Sequence, residues 1–103
     1  MEKFMAYLDE QAVRLQEESR DLAADYRRDE GDMNKIRANV YGICKSVLQV
    51  QGSGKGKVIL DGLRSTWSKN LEIAHQHDDV KQAVIEKIKL ETLAEILRKL
   101  EEV

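Results

Sequence analysis

Gln51-Gly52-Ser53-Gly54-Lys55-Gly56-Lys57 stands at the midpoint of a 103-residue chain, and how it is read decides how many helices the chain has. Glycine gives up more backbone freedom on entering a helix than any other residue, so three in five positions predict a loop. On either side of that loop the chain reads as a pair of helices.

Upstream, Met1, Met5, Leu8, Ala12, Leu15, Ser19, Leu22 and Tyr26 follow alternating steps of four and three, with Phe4 beside them. That spacing lays one apolar stripe along a helix expected at about 2–30. Glu10 precedes Arg14 by four residues, the favourable order for a helical ion pair. Asp29-Glu30-Gly31-Asp32 predicts a break, with Gly31 in a left-handed position and Asp32 as the next N-cap. A second helix is expected at 32–50, with Met33, Ile36, Val40, Ile43, Cys44 and Val47 on one face. Because the phase continues across the break, an alternative is one long N-terminal helix of about 50 residues, roughly 75 Å, forming a hairpin or coiled coil.

Downstream, Leu60, Leu63, Trp67, Leu71 and Ala74 mark a third helix at 58–76. His77-Asp78-Asp79 reads as a junction, and Asp79 with Gln82 fits a variant of the capping box. The fourth helix, 79–102, carries Val80, Val84 and Ile88 on one side and Ile85, Leu93, Ile96, Leu97 and Leu100 on another. A helix that is apolar on more than one side needs more than one neighbour. The expected fold is all-α: one domain, 1–103, an antiparallel bundle of about four helices, oligomeric.

Composition narrows the function classes. Hydrophobic residues make up 42% and charged residues 35%, too apolar for a disordered chain and too charged for a membrane span. Residues 1–51 hold 8 Lys+Arg against 10 Asp+Glu, and residues 52–103 hold 9 against 9, so neither half is a basic surface for nucleic acid. The single cysteine, Cys44, fits a reducing compartment, and charges at Glu2 and Lys3 come too early for a signal peptide. A bacterial-type cytoplasmic protein is the expectation.

No stretch carries a complete catalytic pattern. Gly52-Ser53-Gly54-Lys55 shares part of a phosphate-binding loop, but Gln49 stands where the first glycine belongs and Gly56 where the hydroxyl belongs. His75-Gln76-His77-Asp78-Asp79 offers metal-ligand chemistry, but His75 and His77 point to nearly opposite sides of a continuous helix. Glu72-Ile73-Ala74-His75 fits one Glu-x-x-His motif of a di-iron bundle, with Glu72 about 140° around the helix from the Trp67 stripe. Cys44 lies on an apolar face without a readable base beside it, which is the setting of an inert thiol.

The expected function is therefore a non-catalytic helical interaction or oligomerisation module, with no cofactor and no metal. Its expected partner is a second copy or a partner helix, packed on Leu8, Leu15 and Leu22 or on Leu93, Leu97 and Leu100. The alternative is an anion- or nucleic-acid-binding protein that uses Lys55 and Lys57 in the 52–57 loop.

Overall fold

A computed structural model describes residues 2–24 and 28–103, which are helical except at 77–79 and 102–103, with no strand among the described residues. Helix α1 spans Glu2–Ala24, α2 spans Arg28–Gln76 and α3 spans Val80–Glu101. Met1 and Tyr26, two members of the predicted N-terminal stripe, lie outside the described residues.

A straight helix of 49 residues would reach roughly 74 Å at 1.5 Å per residue. The whole molecule measures only 37 × 35 × 20 Å. Helix α2 therefore folds back on itself, and it does so at Gly52, with φ 77° and ψ 177°, a conformation open essentially to glycine alone.

The expected loop at 51–57 thus contracts to one residue, and Ser53–Lys57 are helical. Tertiary packing overrides propensity here. Gly56 is buried where the two arms of α2 meet, and a Cβ there would lie 2.7 Å from Leu48 Cδ2. The residue serves close approach between the arms, not flexibility.

The predicted break at residues 29–32 also moves. Helix α1 stops at Ala24, α2 begins at Arg28, and Gly31 and Asp32 lie inside α2. The two helices run antiparallel. Ser19 Oγ donates to Gly31 O at 2.8 Å, Asn34 Nδ2 donates to Glu18 Oε2 at 3.2 Å, and Lys45 Nζ meets Asp9 Oδ1 at 2.6 Å. In one continuous helix Asp9 and Lys45 would stand roughly 54 Å apart, so the single-helix alternative is excluded.

The core gathers residues from every element. Phe4, Leu8 and Leu15 come from α1, and Tyr41, Cys44 and Leu48 from the first arm of α2. Leu60 and Trp67 come from the second arm, and Leu93, Ile96 and Leu97 from α3. Burying each large aliphatic side chain contributes about 1.5–3 kcal/mol. Helix α3 buries Ile88 and Thr92 as well as Leu93, Ile96 and Leu97, but Val80 and Val84, expected to share an apolar side with Ile88, are exposed at 74% and 40%. No helix among the described residues is long and apolar enough to cross a membrane.

Candidate functional site

A run of polar contacts lies where α2 hands over to α3. Asp79 N–H donates to Ala74 O at 2.9 Å and Asp78 N–H to His75 O at 3.2 Å, the two bonds of a Schellman turn. Asp78 occupies the left-handed position at φ 54°, where glycine is usual. Asp79 then caps α3 by accepting from Gln82 N–H at 3.1 Å, as the sequence predicts. The reciprocal half of the capping box is not made, because Gln82 Nε2 reaches forward to Glu86 Oε1 at 2.8 Å.

Glu86 is the unusual residue, a carboxylate only 2% exposed. Lys89 Nζ lies 3.1 Å from both of its oxygens and donates a hydrogen bond to Oε1, while Oε2 accepts none. The same ammonium sits 4.8 Å from the centre of the Trp67 ring, so Lys89 joins a buried carboxylate to an aromatic face. Sequence reading passed over Glu86, although a signal was present. Glu86, Leu93, Leu97 and Leu100 recur at helical spacing, which places a carboxylate on the buried stripe.

Beside this cluster runs a cleft of about 310 Å³, lined by Asn70, Ile73, Ala74, His77, Asp79, Gln82 and Glu86. Its polar side chains are largely committed to structure: Asp79 to the cap, Gln82 and Glu86 to each other. His75 and His77 are exposed, and only His77 reaches the cleft. Among the described residues no three His, Cys, Asp or Glu side chains gather as a metal would require.

The other candidates sit as follows. Cys44 is fully buried, and desolvation pushes its thiol up to about 12, which removes the thiolate needed for nucleophilic chemistry. Tyr41 is held well above the usual phenol range, first by burial, then by its hydrogen bond with Tyr7 and the nearby Glu95 carboxylate. Lys57 Nζ faces Glu101 Oε1 at 3.9 Å, and Lys55 is exposed on the first turns after the bend.

The leucines expected to meet a partner have another use. Leu8, Leu15, Leu93 and Leu97 lie at 0–5% exposure inside the chain's own core, Leu100 packs against it, and Leu22 is half-buried. The chain's own helices cover the stripe that the sequence showed. What reaches the surface instead is a scatter of aliphatic residues: Val50 at 77% and Val58 at 71% near the bend, Ile43 and Ile59 at 40% each, Ile73, Val80 and Val84 at 40–74% near the α2–α3 junction, Val13 on α1 and Val103 at the end of the chain. Ile43, expected on one apolar face of the second helix with Cys44 and Val47, is exposed, and Val50 and Val58 carried no such expectation because they flank the predicted loop.

Compared with family models, with curated proteins and with solved structures, the chain matches none.

Proposed function

We propose that this chain is a non-catalytic helical interaction module. Counted with the two arms of α2 separate, it is a compact bundle of four antiparallel rods that associates through apolar side chains left on its surface. The observation that carries the reading is the number of large aliphatic residues left exposed on a helical scaffold, Val13, Val50, Val58, Ile73, Val80 and Val103 at 46–77% and Ile43, Ile59 and Val84 at 40%. Contiguous aliphatic surface marks an interaction site.

The state of the reactive groups supports the same reading. Cys44 is sealed in the core, Asp79 holds a helix end, and Glu86 is shared between Gln82 and Lys89. No serine, threonine, cysteine or lysine lines the cleft at the α2–α3 junction. A reducing compartment such as the cytoplasm suits the unpaired thiol.

Sedimentation equilibrium of the purified chain tests the proposal. At roughly 100 μM, a concentration that populates a micromolar complex, the chain is expected to associate with itself or to retain a helical partner through cross-linking and purification. A strictly monomeric chain that retains no partner overturns the reading.

A further inference from the structure

We infer that a second copy of this chain docks along the outer face of the first arm of α2, on a seam formed by Ile36, Asn39, Ile43, Ser46 and Val50. The inference rests on the interaction reading above and names both the partner and the surface.

Helical spacing makes these five residues one surface. They follow one another in steps of three, four, three and four along one uninterrupted stretch of helix, so they share a stripe within roughly 80° of arc at 100° per residue. Tyr41 and Leu48, which carry core contacts of this arm, lie on the opposite side of the same helix. Ile43 and Val50 stand exposed, Ile36 is half-buried, and Asn39 and Ser46 are exposed between them. The seam ends at Val50, before the bend at Gly52, and so it lies wholly on one arm.

The seam carries no charge in a chain that is 35% charged, and depletion of charge is what marks the centre of an interface. The charges around it cancel or turn away. Asp32 and Lys35, at its start, pair with each other at 3.8 Å, and Lys45 reaches back to Asp9 on α1. Lys55 is exposed beyond Gly52, on the other arm. A nucleic acid or a strongly charged peptide finds no matching sign along the stripe.

Gly42, at the edge of the seam between Asn39 and Ser46, supplies an independent sign. A Cβ there would meet nothing within 4 Å, whereas Gly31 and Gly56 are required by Ser19 and Leu48 of the same chain. Gly54 and Gly62 are open as well, but they lie on the second arm, off the seam. A helical glycine costs about 1 kcal/mol against alanine, and close approach of a partner helix gives Gly42 a use.

The order of residues selects a like partner. Read from either end, the seam runs apolar, polar, apolar, polar, apolar. A second copy laid along it in either direction sets aliphatic residues level with aliphatic ones, and Asn39 level with Asn39 or close to Ser46. An amide both donates and accepts, so either match satisfies it. Such self-complementarity is what a two-fold interface needs, and β-branched residues seven apart favour paired helices. Polar residues hold the positions where a strong coiled coil has leucine, and the seam is only about 21 Å long. It covers less than the roughly 800 Å² per partner of a standard interface, so the expected dimer is weak, in the micromolar range.

Sedimentation equilibrium of the full chain and three variants, between roughly 10 and 300 μM, is the experiment. Ile43→Glu and Val50→Glu are each expected to weaken dimerisation by at least about tenfold, because docking would bury an unpaired carboxylate. Val80→Glu, equally exposed but on α3, is expected to dimerise as the parent does. Circular dichroism checks that the variants keep the parent's helix, and if Ile43→Glu loses it, the well-exposed Val50 position decides alone. A parent that stays monomeric while retaining a different protein overturns this inference and leaves the interaction reading standing. A parent monomeric and without any partner overturns both. A dimer indifferent to the seam variants, or equally weakened by Val80→Glu, overturns the assigned surface.

Discussion

Ser19 Oγ donates a 2.8 Å hydrogen bond to the carbonyl oxygen of Gly31, and beside this bond the backbones of α1 and α2 approach closely. A Cβ on Gly31 would lie 2.9 Å from Ser19 O and 3.4 Å from Ser19 Oγ, so the two backbones leave no room for a methyl group. Gly31→Ala is expected to lower stability by about 1–3 kcal/mol despite alanine's better helix propensity. Gly42→Ala, at a helical glycine with nothing within 4 Å of the new carbon, is expected to raise it by about 0.5–1 kcal/mol. Urea denaturation of the two variants measures both signs. Equal effects would mean that Gly31 is not a contact point.

Two glycines two residues apart are expected to respond in opposite directions. Gly52 holds φ at 77°, so Gly52→Ala strains the bend and costs about 1–2 kcal/mol. Gly54 is helical with open space around it, so Gly54→Ala gains about 0.5–1 kcal/mol. If residues 51–57 formed a loop, Gly54→Ala would lack that helical gain. Urea midpoints of the two variants decide the matter.

The stripe from Met5 to Leu22 was legible because an amphipathic helix writes its buried face into its sequence at a fixed period. So were the Leu93–Leu97 side of α3 and the Asp79 cap, whereas Val80 and Val84, read onto a second apolar side, are exposed. What escaped was the purpose of the glycines. Gly31 and Gly56 look like breakers when counted along the chain, yet both sit in helix because neighbouring segments need the space a side chain would occupy. That requirement comes from residues far away in sequence, Ser19 for one and Leu48 for the other. The use of Leu8, Leu15, Leu93 and Leu97 escaped for a similar reason: periodicity shows that a face is covered but not whether its own chain or another copy covers it. Glu86 was readable in phase, but its partner Lys89 was identifiable only once Trp67 was placed beside it.

At the α2–α3 junction, a single position combines strain with a useful turn. Asp78 adopts φ 54°, which costs an L-residue about 1–2 kcal/mol unless side-chain bonding offsets it. Asp78→Gly is expected to raise stability by about 0.5–1 kcal/mol. Its neighbour behaves in the opposite way: Asp79→Ala removes the acceptor for Gln82 N–H and is expected to cost about 1 kcal/mol. Thermal denaturation followed by circular dichroism reads both. Destabilisation by Asp78→Gly would mean that the aspartate side chain itself holds the turn.

The buried pair Glu86–Lys89 is expected to respond unequally to loss of either partner. Lys89→Met strips the ammonium from a carboxylate with a side chain only 3% exposed, leaving a buried charge held by the Gln82 amide alone. A loss of about 3 kcal/mol follows, together with loss of the contact to the Trp67 ring. Glu86→Gln leaves a neutral group in the same space, and the 22%-exposed Lys89 side chain remains able to reach solvent. Its cost is expected to be about 1 kcal/mol. Chemical denaturation of the two variants supplies the comparison, and a larger loss for Glu86→Gln would reverse the assignment of which charge depends on the other.

Alkaline pH is expected to weaken the fold before any disruption visible at neutrality, and the sign follows from the proton balance. Cys44 ordinarily ionises near 9.0 and is pushed up to about 12 by burial. Between those values the unfolded chain has released the thiol proton and the folded chain retains it. The folded state then binds more protons, so stability falls as pH rises, by about 1.4 kcal/mol per pH unit for one such group. Below the lower value the contribution is complete, and above the upper value no further loss occurs. Tyr41, whose hydroxyl is likewise held above its usual range, adds to the slope at the upper end of the window. Urea denaturation at intervals between about pH 8 and 11 is expected to show this decline. In Cys44→Ala the cavity lowers stability at every pH, but the slope just above the ordinary thiol value is expected to flatten. An unchanged slope in that variant would show that Cys44 does not keep its proton in the fold.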